Sequence, residues 1–177
     1  MSIIGIALLL TASAATTVAD PLEPARRGLA ACSEPLSTST GVSCEVVATY
    51  QFTADGQIVE TLRMSIPMES PVEIVLVDRV ALIDGAVCSR IDPAVVRNAR
   101  FERNGVVVDG PELNALKETL ITAMAGYSGK MACMRHLGTK GIFSSEAWLD
   151  GKELKEDRSK TTWIAPERAS LRPISPE

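Results

Sequence analysis

Four dipeptides, Asp55-Gly56, Asp84-Gly85, Asn104-Gly105 and Asp150-Gly151, constrain this chain more than any other feature, because each stands between runs of strand-forming residues. Asn-Gly and Asp-Gly readily adopt the positive φ angles of two-residue hairpin turns, so each predicts a pair of antiparallel strands. Flanking residues agree. Val46, Ala48, Tyr50 and Phe52 alternate with Glu45, Thr49, Gln51 and Thr53, and Leu62, Met64 and Ile66 alternate with Thr61, Arg63 and Ser65. That period of two predicts strands with one wet face. The run from Val72 to Ile83 is apolar on both faces apart from Glu73, Asp78 and Arg79 and is expected to be covered, returning through Ala86, Val87 and Cys88. A further hairpin is expected from Ala99 to Glu102 and back through Val106, Val107 and Val108, and later strands over Lys130–His136, Phe143–Leu149, Lys152–Glu156 and Thr161–Ala165.

One helix interrupts the strands. Pro111 suits a first helical position, Glu112 complements the dipole, and Leu113, Leu116, Leu120, Ile121 and Met124 recur at helical spacing before Gly126. If these five side chains are mostly buried, each contributes roughly 1.5–3 kcal/mol and the helix is held by docking. The expected fold is α+β: a hairpin-rich, curved antiparallel sheet with one long helix packed on it. A β-sandwich with a peripheral helix is the alternative.

At 177 residues the chain is the size of one domain. Residues 3–10 are apolar and give way to small residues ending Thr17-Val18-Ala19, a pattern that predicts a signal peptide over residues 1–19, with Ala12-Ser13-Ala14 as a second cleavage pattern. Pro21, Pro24, Pro35 and a Ser-Thr run make residues 20–42 an expected extended leader, and Pro166, Pro173 and Pro176 make 166–177 a tail, leaving 43–165 as a single domain. No membrane span is expected once the signal is removed, and the expected location is the periplasm or the extracellular medium. Cys32, Cys44, Cys88 and Cys133 then read as two disulfides; of the three connectivities, Cys32 with Cys44 and Cys88 with Cys133 is the one adopted. Leu29-Ala30-Ala31-Cys32 looks like a lipoprotein cleavage site, but Asp20, Glu23, Arg26 and Arg27 separate it from the apolar segment.

No catalytic or cofactor motif emerges. A formal charge of −4 without a basic block gives no footprint for a nucleic acid. Gly126-Tyr127-Ser128-Gly129-Lys130 carries Lys130 where a nucleophile elbow needs glycine, so Ser128 reads as a turn residue. Gly138-Thr139-Lys140-Gly141 is too short for a phosphate loop and reads as a connection. Glu153, Glu156 and Asp157, interleaved with Lys152, Lys155, Arg158 and Lys160, read as a solvated edge. His136 is the chain's one histidine, and it lies in Met131-Ala132-Cys133-Met134-Arg135-His136, whose soft ligands would suit copper. On a strand Met134 and His136 share one face and Met131 and Cys133 the other, so a copper site would need Met64 or Met68 as well. Zinc would lack both CxxC spacing and a second histidine. Trp148 and Trp163 read as core residues or as a surface for an envelope protein or peptide. The sequence therefore predicts an exported protein that works by binding or structural association, with copper handling through Met134 and His136, or hydrolysis by paired carboxylates, as alternatives.

Overall fold

A computed structural model describes residues 20–137 and 141–174, without the side chains of 156–158. The expected signal segment 1–19, most of the connection at 138–141 and the last three residues lie outside the described residues. In chain order the elements are α1 (Glu23–Arg26), β1 (Ala30–Ser33), β2 (Leu36–Ser37), β3 (Val42–Cys44), β4 (Val46–Phe52), β5 (Ile58–Ile66), β6 (Val72–Ile83), β7 (Ala86–Arg90), α2 (Pro93–Arg97), β8 (Arg100–Arg103), β9 (Val106–Val107), α3 (Gly110–Met124), β10 (Met131–Leu137), β11 (Phe143–Leu149), β12 (Lys152–Ile164) and β13 (Ala169–Leu171). Short 3₁₀ turns follow α3 and precede β13.

Eight strands, β1, β4, β5, β6, β7, β10, β11 and β12, pair antiparallel in chain order. β12 then returns to β1, with Ala30 opposite Ile164 and Ser33 opposite Thr161. The result is a closed up-and-down barrel in a structure that is 51% strand and 20% helical. This overturns both the expected open curved sheet with a long helix across it and the alternative sandwich. Closure removes the two sheet edges, whose unpaired N–H and C=O groups an open sheet would have to protect.

The turns show how the chain builds this meander. Asp84-Gly85, Asn104-Gly105 and Asp150-Gly151 have positive φ at both residues, as a tight hairpin with the correct twist demands. At Asp55-Gly56 only Gly56 is left-handed, and the Gly56 N–H donates to the Thr53 carbonyl in a longer loop. Where two strands were expected over Lys152–Ala165, one continuous β12 runs the length of the wall, with a register shift opposite Ser145 and Ala147.

Residues 91–130 form an excursion between β7 and β10. Its base is tied by the Gly129 N–H donating to the Ile91 carbonyl, and the Ile91 N–H donating to the Lys130 carbonyl. Directly below, Cys88 and Cys133 face each other across β7 and β10 and form a disulfide. Within the excursion β8 pairs with the first part of β6, which β7 has left unpaired. Val72, Ile74, Phe101 and Val108 make a buried cluster there, against which Leu113, Leu116 and Leu120 pack. α3 has no buried residue, so its expected contribution as a core helix is corrected: it leans on one patch beside the barrel.

The closing strand is covered from outside. Ala30 and Cys32 are buried with Cys44 and Val47 beneath a small sheet in which β13 pairs with β3 and β3 with β2. The Cys32–Cys44 disulfide joins that sheet to the seam. Arg172 completes the join: its guanidinium bonds the Glu45 carboxylate at 2.5 Å and the Glu34 carbonyl at 2.8 Å. Two disulfides in a small barrel of this kind fit an exported protein. Among the described residues no helix is long and apolar enough to cross a membrane.

One barrel end is stoppered. Leu22 and Ala25, at and within α1, are buried with Val80 and Val87 against Tyr50, Phe52, Ile58 and Trp163. Leu22 is 0% exposed, so removing its side chain leaves a cavity at the stopper. We expect Leu22→Ala to cost about 2–5 kcal/mol in denaturant unfolding; an unchanged midpoint would show that α1 does not hold this end.

Candidate functional site

Eight strands make a barrel just wide enough either to be filled by its own side chains or to hold one small molecule. The inward positions decide between these. Ala31 on β1, Ala48 on β4, Ala132 on β10, Ala147 on β11 and Ser89 on β7 line the interior, and such short side chains cannot meet across it. A cavity of about 590 Å³ remains. Met134 makes the point directly: it lines this cavity, yet it is 42% exposed. Away from the α1 stopper the lining includes Ile91 and Tyr127, and Tyr127, 51% exposed, stands where the cavity meets solvent.

Most of the lining is apolar; apart from Ser33, Ser89, Ser159 and Tyr127, its polar groups belong to two rows. In the first, strand register places Tyr50 opposite Glu60, and Glu60 opposite Asp78, across β4, β5 and β6. Burial pushes the Glu60 carboxyl above its usual range; its hydrogen bond with Tyr50 opposes that shift and the charge of Asp78 adds to it. Burial, with the Glu60 charge, likewise raises the Tyr50 hydroxyl. Like charges directly opposite on neighbouring strands are unfavourable, so this row costs stability in the empty barrel. Among the described residues no Lys or Arg lines the main cavity.

A second cavity of about 120 Å³ lies where β6 and β7 separate. It shares Glu60, Leu62, Ser89 and Ile91 with the first and adds Asp78, Arg90 and Asp92. Two of these are committed: Asp92 accepts from the Ala94 N–H as the cap of α2, and Arg90 donates to the Gly129 carbonyl.

The second row borders the cavity through His136 and Thr161, but its polar atoms are enclosed. His136 Nδ1 lies 2.9 Å from the Ser145 hydroxyl, which lies 2.7 Å from the Thr161 hydroxyl. The imidazole meets Phe143 and Trp163 edge-on, at 5.7 Å and 5.5 Å between ring centres. Its Nε2 is buried without a hydrogen-bond partner among the described residues. Ser145 is 1% exposed. A serine and histidine in contact invite a hydrolytic reading, but a nucleophile must be reached by substrate and its base must pass the proton on. Ser145 is buried, and the two ring nitrogens of His136 are enclosed or bonded.

The residues singled out by sequence fall as follows. Met134 and His136 do share the inner face, and Met64 lines the same cavity. Cys133, however, is bound to Cys88, and neither imidazole nitrogen of His136 is open to a metal. The two tryptophans are engaged separately: Trp163 packs against Tyr50 and His136, whereas Trp148, which borders the cavity, carries Arg135 over its ring at 5.0 Å. Ser128 lies in the turn after α3, where its N–H donates to the Met124 carbonyl. Sequence reasoning passed over Glu60, Asp78 and the interior alanines. Only the register of neighbouring strands reveals that they converge.

Burial holds the His136 imidazole at about 4, below its ordinary 6.5, so it is neutral at neutral pH. An unfolded chain takes up a proton on this residue near pH 6.5, while the folded one resists until about 4. Unfolding therefore binds a proton in that window, and stability must fall as pH falls through it, by up to about 3 kcal/mol. We expect wild type to show this loss in denaturant titrations between pH 7 and 4 and His136→Gln to lack it; matching pH slopes would contradict the assignment. No protein family model matches this chain, and neither a curated protein nor a solved structure matches it.

Proposed function

We propose that this protein is an exported carrier or receptor that holds one small, largely apolar molecule inside its barrel. The observation that carries this is the cavity of about 590 Å³, stoppered by α1 and open near Tyr127. Its size falls within the range of small-molecule sites, and an apolar lining with a few convergent polar groups is what such sites share. Apolar contact with the interior supplies affinity, and Tyr50, Glu60 and Asp78 supply discrimination. The small molecule takes precedence over an envelope protein or peptide as partner because Trp163 is packed against Tyr50 and His136 while Trp148 lies beneath Arg135, which leaves no shared aromatic platform. Export to the periplasm or the extracellular medium is part of this reading.

One observation favours a second reading. Glu60 and Asp78 face each other beside the cavity, and a pair of neighbouring carboxyls is the usual equipment of general acid–base hydrolysis. Under that reading Asp78→Asn abolishes turnover of a hydrolysable ester or glycoside while leaving apolar binding intact. Binding remains preferred because the rest of the cavity offers few groups with which to grip a polar substrate.

Filling the cavity separates function from fold. Ala147→Trp places a large side chain where room already exists, so we expect an unchanged or higher melting temperature and at least a tenfold loss in binding of the apolar dye diphenylhexatriene, followed by its fluorescence. Equal dye binding by the two proteins would place the apolar site elsewhere.

A further inference from the structure

The charge lining the interior restricts what the cavity accepts. Glu60 borders both the main cavity and the side cavity, and Asp78, its directly paired neighbour, borders the side cavity. No Lys or Arg forms an ion pair with either carboxyl among the described residues. Of the other titratable groups along the two cavities, Tyr50 is bound to Glu60, His136 is neutral with both nitrogens enclosed, Tyr127 stands exposed beneath Lys130, Asp92 caps α2, and Arg90 is exposed and bonded to the Gly129 carbonyl. A ligand in the main cavity thus meets the Glu60 carboxyl and, among the described residues, no Lys or Arg, and beyond it in the side cavity Asp78, where the one cation, Arg90, is held by the Gly129 carbonyl. In an apolar surrounding such charge is felt more strongly than in water. A carboxylate-bearing ligand such as a fatty acid would add its negative charge to this acidic place. An ammonium group would relieve the repulsion between Glu60 and Asp78 and replace the solvation that burial has removed.

We propose, building on the carrier reading above, that the barrel selects an apolar molecule bearing a primary or secondary amine, with its ammonium group received between Glu60 and Asp78 and its apolar body filling the main cavity.

The test uses three ligands matched in length, decylamine, decanol and decanoate, titrated calorimetrically at neutral pH and below their aggregation concentrations. The expected order is amine, then alcohol, then carboxylate, with at least a tenfold gap between first and last. Glu60→Gln keeps the side chain's shape and its hydrogen bond with Tyr50 while removing a desolvated charge, and Asp78→Asn provides a second variant at the same place. Each should weaken the amine about tenfold and leave decanol within about threefold of wild type, which also shows that the cavity has kept its form. Carboxylate binding as tight as the amine's would overturn the selectivity and leave the carrier reading standing. An amine preference untouched in both variants would overturn the role of the two carboxyls. Binding of none of the three ligands would overturn the carrier reading, and the amine selectivity with it.

Discussion

Everything in this structure depends on the pairing of β1 with β12. Without those backbone hydrogen bonds the eight strands are a curled sheet with two raw edges, and no interior exists. The pairing is short, four residues on the β1 side, and its residues are too small to hold by packing alone. Support comes from outside. Ala30 and Cys32 are buried beneath the β13–β3–β2 sheet, the Cys32–Cys44 disulfide links that sheet to the seam, and Arg172 binds the connecting chain through Glu45 and Glu34. The C-terminal residues thus act on the barrel by clamping the strand that closes it.

Closure has an unusual energetic setting here, because the barrel has no central core to drive it. The buried clusters lie at its periphery: beneath α3 where β8 pairs with β6, at the α1 stopper, and outside the seam. The interior alanines forgo the dispersion contacts that larger residues would make. A protein stabilised chiefly at its rim and seam can leave its centre empty, and an occupant of that centre adds its own binding energy to folding. The cost of the Tyr50–Glu60–Asp78 row belongs to the same arrangement: groups kept for discrimination lie where packing alone would favour hydrocarbon.

The sequence was legible where local chemistry alone decides the outcome. Three of its four hairpin dipeptides form tight turns with both residues left-handed, and alternation marks β4 and β5 because each has one face against the interior and one against water. β1 was not legible. Ala-Ala-Cys-Ser has neither alternation nor branched residues, since both of its faces are covered and both neighbours approach closely. Missing that strand meant missing closure, and the leucines of α3, which look like the inner stripe of a core helix, touch only a flank once the sheet curls away. The cavity was hidden for another reason. Ala31, Ala48, Ala132 and Ala147 are unremarkable in four separate strands, and Glu60 and Asp78 are ordinary polar residues until register sets them side by side.

The excursion over residues 91–130 leaves from one barrel strand and returns to its neighbour, and the Cys88–Cys133 link holds the two strands together with 4.0 Å between the Cα atoms at its base. The strand pairing below therefore does not depend on how long that excursion is, because the closure entropy of a longer or shorter segment is already met by a covalent bond. Its two ends also supply Ile91 and Tyr127 to the rim. The excursion thus divides into a part the wall needs, the β8 segment whose Phe101 and Val108 cover Val72 and Ile74, and connecting lengths that can be shortened or extended while the strand pairing beneath them stays the same.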